Sequence, residues 1–320
     1  MSNSTMAQRP LNQPLDPLAQ RRETRLGVAY ALICYCTWGL FPIYWSLLSN
    51  QGLSAAQLMG HRVLWASVVA MLLLFISRQQ KVLLEVLQQP KMMAFIFLAS
   101  MALGLNWLSY IYAVSINHVI EASLGYFMSP LMSIALARVF IGERINRAQS
   151  FAVVLALAGV LWLAVLAGHI PWIALIISGS WSLYSLLRKQ AVLPIIPGFA
   201  IETLFLLPFA VGYLIYLHSL GEYRFFELPT HIILLIIGTG VITGYPLLFF
   251  AAAAKRIRLN TLGILLYINP SMQFLIGLLV FKEPFDSMRF VAYVLVWLAV
   301  IIFTTSSYQS YKKATAAVSH

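Results

Sequence analysis

The sequence is poor in charged residues, and poorest in acidic ones. Only 10% of its 320 residues are charged, and just 10 residues are Asp or Glu. Soluble globular proteins contain about 25% charged residues. A surface that faces water cannot be built from so few charges, which excludes a soluble fold. The 61% hydrophobic content instead indicates a protein whose solvent is the lipid bilayer.

Motifs for the common catalytic and metal chemistries are absent from the sequence. It contains no HExxH, no GxSxG, no P-loop and no Cys/His cluster with metal-ligand spacing. These absences exclude ATP-driven transport and the usual intramembrane proteases. The two cysteines, Cys34 and Cys36, lie one residue apart in an apolar run, where they are typical of packing residues. We therefore predict a protein that is not an enzyme and that needs no cofactor and no metal.

Ten long apolar runs, separated by charged residues or by Gly and Pro, account for most of the chain. A transmembrane helix needs roughly 20 apolar residues, and these continuous runs do not alternate as membrane β-strands do. The sequence therefore predicts an all-α integral membrane protein with about ten transmembrane helices. They are expected near residues 26–48, 55–77, 92–115, 119–141, 148–167, 171–187, 198–218, 232–254, 259–281 and 287–308. The sixth run is the shortest and the least sharply bounded, so nine helices is the alternative.

The positions of the 21 Lys and Arg residues predict the orientation. When the N-terminus is placed in the cytoplasm, 16 of them fall on the inner side and three on the outer side, while Arg62 and Arg138 lie within spans. Cations gather at cytoplasmic helix ends, so we expect a plasma (inner) membrane protein with both termini cytoplasmic. The same bias explains the net charge of +11 without any nucleic-acid partner. Residues 1–25 are expected to form a disordered cytoplasmic tail, and residues 309–320 a second cytoplasmic tail.

The chain contains an internal repeat. Shifting the sequence by 140 residues aligns 106–160 with 246–300 without a gap. Each half then holds five predicted helices, an odd number, so the halves must lie in opposite orientations, as in the inverted repeats of secondary transporters. The most informative matches are Pro130 with Pro270 and Glu143 with Glu283. Both glutamates lie beside a cation, Arg144 or Lys282, and are interpreted as members of structural ion pairs.

Seven short stretches of the sequence are distinctive. They are Phe140-Ile141-Gly142-Glu143-Arg144, Phe281-Lys282-Glu283-Pro284, His61-Arg62-Val63-Leu64-Trp65, Gly104-Leu105-Asn106-Trp107, Glu121-Ala122-Ser123-Leu124-Gly125-Tyr126-Phe127, Ile201-Glu202-Thr203 and Arg256-Ile257-Arg258-Leu259-Asn260-Thr261-Leu262-Gly263. Together they resemble the EamA family of drug/metabolite transporters and, within it, the RarD-type permeases. The similarity covers residues 26–308, with Lys282 standing where the family has Gly. It implies ten helices in two inverted five-helix EamA repeats, residues 26–167 and 168–308, and a permease of the plasma membrane.

Arg62 lies inside the second predicted helix, well beyond its first turn. Placing an arginine in the bilayer core costs ~2.5–3.5 kcal/mol, so an arginine at this depth indicates a function. Its planar guanidinium can bind a substrate carboxylate through two parallel hydrogen bonds. The alternative is that the side chain extends to the outer interface of the membrane.

Two further ionisable residues are candidates for coupling transport to protons. Glu202 aligns with Arg62 across the repeat and is flanked by apolar residues, while His61 directly precedes Arg62. A carboxyl group in such surroundings can take up a proton on one side of the membrane and release it on the other. The alternative for Glu202 is a carboxylate stabilised by the start of its helix. Glu121, in the first turn of the fourth predicted helix, is interpreted as structural for that same reason.

Polar and aromatic residues near the middle of the predicted helices define the candidate substrate site. The polar edge of a side chain such as Asn106 would be unsatisfied against lipid, and Asn106 and Tyr110 share one helix face through their i, i+4 spacing. We expect such side chains to line an interior cavity. The predicted substrate-binding residues are Arg62, Asn106, Trp38, Trp107, Tyr110, Tyr126, Trp181, Tyr267 and Gln273.

These features predict a secondary-active transmembrane transporter. Such a permease moves a small metabolite or a drug-like compound by alternating access, and amino acids are among the expected substrates. Its expected partners are the small-molecule substrate, the lipid bilayer and a second copy in a homodimer. A membrane-embedded enzyme or a channel is the alternative. An enzyme would need a nucleophile and a base at one depth, and a channel a continuous polar stripe, and the sequence has neither pattern.

The predicted orientation can be tested with single cysteines in a background without Cys34 and Cys36. A cysteine at Ser49, after the first span, should react with an impermeant thiol reagent added outside the cell. A cysteine at Gln190 should react only after the cell is permeabilised, because it lies on the predicted inner side. Labelling of position 190 from outside would contradict the ten-helix topology.

Overall fold

A computed structural model describes residues 17–140, 142, 146–191, 193–257 and 259–318. Within these ranges all regular secondary structure is helical, which confirms the predicted all-α class. The helices are α1 (Pro17–Gly39), α2 (Phe41–Ser49), α3 (Ala55–Ile76), α4 (Gln80–Leu87), α5 (Pro90–Ser115), α6 (Val119–Phe140), α7 (Arg147–Ala167), α8 (Trp172–Gln190), α9 (Ile195–Ser219), α10 (Thr230–Ala254), α11 (Leu259–Leu265), α12 (Ile268–Leu279) and α13 (Ser287–Val318). A short 3-10 turn, Phe225–Glu227, lies between α9 and α10.

Nine stretches of the described chain are long and apolar enough to cross a membrane, and they coincide with nine of the ten predicted helices. The other predicted helix, the sixth, is α8, whose 19 residues include polar serines and end with a pair of cations. α8 packs against α5 and α6, and it buries Ser178, Ser180 and Ser182 inside the protein. Every predicted helix position therefore holds a helix, while a tenth membrane crossing remains a prediction.

The first helix begins earlier than predicted. α1 starts at Pro17, so a disordered tail over residues 1–25 is wrong for the part from Pro17 onward, while residues 1–16 lie outside the described residues. The added part of α1 makes a tertiary contact, since Oε2 of Glu23 lies 3.0 Å from Nε of Arg256. This contact fixes the start of α1 against the segment that follows α10.

The last helix also extends past its predicted end. α13 runs to Val318, so the predicted tail 309–320 is helical up to that residue. The stretch contains no Gly and no Pro, the two residues that most disfavour a helix interior. Residues 319 and 320 lie outside the described residues.

Two of the predicted helices are interrupted inside the apolar region. The first is interrupted at Leu40, between α1 and α2, and the ninth at Leu266 and Tyr267, between α11 and α12. A proline follows each interruption, namely Pro42 in α2 and Pro270 in the first turn of α12. Proline has no N–H to donate, and its ring clashes with the carbonyl group four residues earlier. The sequence prediction of two continuous helices is therefore corrected at both places.

Glu283 joins the last loop to the start of α6. Its Oε1 accepts the N–H of Val119 at 2.6 Å, and its Oε2 accepts the N–H of Ile120 at 2.9 Å. Both N–H groups lack a partner within the helix, and the carboxylate also suits the positive end of the helix dipole. Burial raises the pKa of Glu283, and the two N–H groups oppose that rise. The interpretation as an ion pair is thus wrong for Glu283, whose partner is a helix end, while Glu143 lies outside the described residues.

This contact predicts a loss of stability when the carboxylate is removed. Glu283→Ala leaves two helix N–H groups buried without an acceptor, which should lower the free energy of unfolding by about 2–3 kcal/mol. Thermal unfolding of the protein in detergent measures the effect as a lower Tm. Glu222→Ala, which truncates an exposed loop glutamate, is the control and should leave the Tm unchanged. Equal Tm values for both variants would contradict the role of Glu283.

Candidate functional site

A cavity of about 120 Å³ lies in the middle of the helix assembly, with walls from α1, α2, α3, α5, α6, α8, α9, α10 and α12. One water molecule needs roughly 10–15 Å³ of such space, so the cavity can hold a small metabolite. All nine predicted substrate-binding residues line it, and Glu202 lines it too. The nine are Trp38, Arg62, Asn106, Trp107, Tyr110, Tyr126, Trp181, Tyr267 and Gln273.

The two interrupted helices meet at this cavity. Trp38 and Phe41 line it on either side of the first interruption, and Tyr267 lines it at the second. Pro42 leaves the carbonyl group of Trp38 without its helical donor, and Nε2 of Gln273 donates to that oxygen at 3.5 Å. A side chain of α12 therefore satisfies a backbone group that the α1–α2 interruption exposes, as the membrane interior requires.

Arg62 is held by aromatic rings rather than by an acid. The side chain is 4% exposed, and its Cζ lies 4.1 Å from the ring centroid of Trp107 and 5.2 Å from that of Trp45. Its Nε donates to Oγ1 of Thr243 at 3.3 Å. No acidic residue in the described part of the chain forms an ion pair with it. The side chain thus lies in the cavity wall and does not extend to the interface, and its charge has no counter-ion there.

Glu202 has the ionic partner that Arg62 lacks. Its carboxylate is 3% exposed, and its Oε1 lies 2.8 Å from Nε of Arg188. The hydroxyl group of Tyr184 lies 3.3 Å from each carboxylate oxygen and can donate to either. Sequence reasoning missed Arg188 and Tyr184 as site residues. Their spacing with Trp181, at i, i+3 and i+7 of α8, places all three on one helix face and could have indicated them.

Asn106 organises one wall of the cavity. Its Nδ2 donates to the carbonyl oxygen of Ile177 at 3.0 Å and to Oγ of Ser180 at 3.2 Å. Its Oδ1 accepts the hydroxyl group of Tyr126 at 3.1 Å. These bonds tie α5 to α8 and α6, so Asn106 positions Tyr126 within the wall.

Two polar atoms of the cavity wall are left without a hydrogen-bond partner among the described residues. They are the hydroxyl group of Tyr110 and Oε1 of Gln273, and both side chains are buried. Buried polar groups in proteins are almost always hydrogen-bonded. The cavity wall therefore contains one unused donor and one unused acceptor.

His61 lies outside the lining of this cavity, and its coupling role stays a prediction. Its ring stacks on Phe225, with 4.6 Å between centroids, and on Tyr223, at 5.7 Å. Consecutive residues of a helix do not share a face, so the helix that directs Arg62 into the cavity directs His61 away from it. His61 therefore packs under the loop between α9 and α10.

Glu121 makes structural contacts. Its Oε1 accepts the N–H of Ile173, in the first turn of α8, at 3.2 Å, and its Oε2 lies 3.1 Å from Nδ1 of His118. These contacts agree with the structural interpretation made from the sequence. Across the described ranges, no group of three or more His, Cys, Asp or Glu side chains could hold a metal ion.

The chain is similar to proteins of known family and fold. A model of the EamA-like transporter family matches residues 25–165. The uncharacterized transporter YojE of Bacillus subtilis is 39% identical over 290 residues, which cover 90% of this chain and 96% of the relative. Protein RarD of Escherichia coli is 36% identical over 294 residues, which cover 92% of this chain and 99% of the relative. A solved crystal structure with 18% identity aligns with a TM-score of 0.52 over 90% of this chain and 98% of that chain, which indicates a shared fold.

Proposed function

This chain belongs to the EamA-like transporter family as a RarD-type permease and is a membrane transporter of the drug/metabolite kind; we propose that it is secondary-active and binds a small metabolite with an anionic group in the cavity around Arg62. The substrate class includes amino acids and other carboxylates. In this proposal the substrate crosses the membrane chemically unchanged. The cavity described here is lined by residues of one chain, and a homodimer with a second copy remains part of the proposal.

The observation that carries this proposal is the uncompensated charge of Arg62. Buried charges in proteins are paired and hydrogen-bonded, because an isolated buried charge is very unfavourable. Arg62 has one hydrogen bond and three ring contacts, and it forms no ion pair within the described ranges. A substrate carboxylate would supply the negative charge through two parallel hydrogen bonds with the guanidinium.

The remaining walls suit the rest of such a molecule. Indole rings of Trp107 and Trp181 offer flat apolar surface, which stabilises an apolar or aromatic substituent. Tyr110 supplies a hydroxyl donor and Gln273 a carbonyl acceptor, neither of which is used by described residues. Small-molecule sites in proteins commonly combine mostly apolar walls with a few polar groups that fix the orientation.

Transport is proposed to proceed by alternating access between two inverted halves, residues 26–167 and 168–308. One interrupted helix comes from each proposed half, and both lie at the cavity. Secondary transporters built from inverted repeats bind substrate at such discontinuous helices near the middle of the membrane. The cation distribution supports insertion in the inner membrane with both termini in the cytoplasm.

Substitution of Arg62 tests the substrate class. Arg62→Lys keeps the charge but loses the planar fork, so uptake of a carboxylate substrate into proteoliposomes should fall by roughly tenfold or more, given about 1.5–3 kcal/mol for a charged hydrogen bond. Arg62→Ala should abolish uptake. Arg224→Lys, at an exposed loop arginine, is the matched control and should transport like the parent. Parental uptake by Arg62→Ala, at equal protein per vesicle, would refute the proposal.

Proton coupling is proposed to depend on Glu202. Glu202→Gln cannot exchange a proton, so a pH gradient should no longer accelerate uptake, while exchange of labelled against unlabelled substrate should continue. Glu121→Gln is the control and should remain coupled, because Glu121 contacts a helix end instead of the cavity. The reverse pattern, or full coupling in both variants, would contradict this role for Glu202.

A further inference from the structure

The carboxylate of Glu202 forms an ion pair with Arg188 of the same chain. Nε of Arg188 lies 2.8 Å from Oε1 of Glu202, and Nη1 of Arg188 donates to the carbonyl oxygen of Ala191 at 2.8 Å. The guanidinium therefore bridges the end of α8 and the second turn of α9. Tyr184 completes the surroundings with a hydroxyl group 3.3 Å from both carboxylate oxygens.

Gly198 leaves the space that this arrangement needs. A Cβ atom at position 198 would overlap Nη2 of Arg188, and the three nearest atoms to it all belong to that guanidinium. The guanidinium is the end of a flexible side chain, so an alanine at 198 would displace Arg188 without a backbone clash. Gly212, further along α9, is different, because nothing in the described structure lies within 4 Å of a Cβ placed there.

The cavity thus contains two charged side chains, Arg62 and Glu202, of which only Glu202 has an ion-pair partner. Arg62 forms no ion pair with any described acid, whereas Glu202 is neutralised by Arg188, and both Arg62 and Glu202 line the same cavity. A ligand with only an anionic group would use Arg62 alone. A zwitterionic ligand could use both sites, but its cationic group could reach Glu202 only if Arg188 moved away.

We propose that Glu202 and Tyr184 form a subsite for the ammonium or guanidinium group of a zwitterionic substrate. The guanidinium of Arg188 fills this subsite in the absence of substrate, and the cationic group of the substrate displaces it. The proposal rests on the proposed function, which makes the cavity the substrate site. It narrows the substrate class to zwitterions, since the transported molecule then carries a cationic group as well as a carboxylate, as amino acids do. Arg188 is a positioning residue in this account, because it acts through Glu202.

Few other charged groups face Glu202. Arg188 and Tyr184 of α8 contact the carboxylate directly, while Arg62 of α3 and Tyr110 of α5 line the same cavity as Glu202. The charged residues of α4, which also packs against α9, are exposed; they are Lys81 and Glu85. Arg188 is therefore the group whose removal changes the charge next to Glu202 most.

A hydrophobic carbodiimide tests the occupancy of Glu202 without any substrate. The reagent modifies protonated carboxyl groups in apolar surroundings, and mass spectrometry locates the adduct on the full-length protein. In the substrate-free parent, Glu202 should be labelled slowly, because Arg188 contacts its carboxylate and favours the charged form. In Arg188→Ala the buried carboxyl group takes up a proton instead of remaining as an isolated charge, so labelling should be at least about tenfold faster.

Three further variants separate this effect from misfolding. Gly198→Ala should accelerate labelling because it displaces Arg188, while Gly212→Ala, its control on the same helix, should behave like the parent. Arg188→Lys should restore slow labelling in part, because it returns the positive charge. All variants should elute as monodisperse protein in detergent.

Methylguanidinium then tests whether the emptied position binds a cation. It should slow the labelling of Glu202 in Arg188→Ala and leave the parent unchanged, because Arg188 already fills the position there. Parental labelling as fast as that of Arg188→Ala, or no protection of that variant by methylguanidinium, would overturn the proposal. The assay needs no transport, so its failure is distinguishable from that of the proposed function, which the uptake measurements with Arg62 variants decide.

Discussion

The guanidinium of Arg62 is held inside the apolar part of the protein by aromatic rings and one threonine hydroxyl group. A charge at such a position is strongly unfavourable unless another charge compensates it. No described acid does so, and this is the basis of our proposal that the cavity binds an anionic group. The unused polar atoms of Tyr110 and Gln273 lie in the same wall. The substrate class that we propose follows from this one imbalance of charge.

The helix interruptions create the space in which that charge can act. Pro42 and Pro270 each prevent a regular helix just beside the cavity, and an interrupted helix exposes backbone groups that lipid cannot satisfy. Gln273 reaches across from α12 to one of these groups, the carbonyl oxygen of Trp38. Pro130, which aligns with Pro270, lies within an uninterrupted α6, so the two aligned prolines shape their helices differently.

Residue patterns predicted the helices and half of the residues that line the cavity, because polar groups in the middle of apolar helices must face one another. They did not predict the partner of Glu202. Arg188 lies near the end of α8, where the sequence indicates only one of the cations on the inner side, and the folded structure brings it to the carboxylate on α9. His61 was placed at the site through its neighbour Arg62, although adjacent residues of a helix point in different directions. The interruption at Leu40 depends on Pro42. Because Pro42 lies within a continuous apolar run, the run alone predicted one unbroken helix.

Ligand-induced thermal stabilisation tests the central claim most directly, because a ligand that binds only the folded state raises the Tm, and the stabilisation grows with the logarithm of ligand concentration relative to its Kd. A metabolite library that contains matched anionic, zwitterionic, neutral and cationic compounds would be screened against the parent and Arg62→Ala. We predict that compounds which raise the Tm of the parent carry an anionic group, and that Arg62→Ala loses their effect. Stabilisation of both proteins to the same extent, or by neutral and cationic compounds alone, would contradict the account.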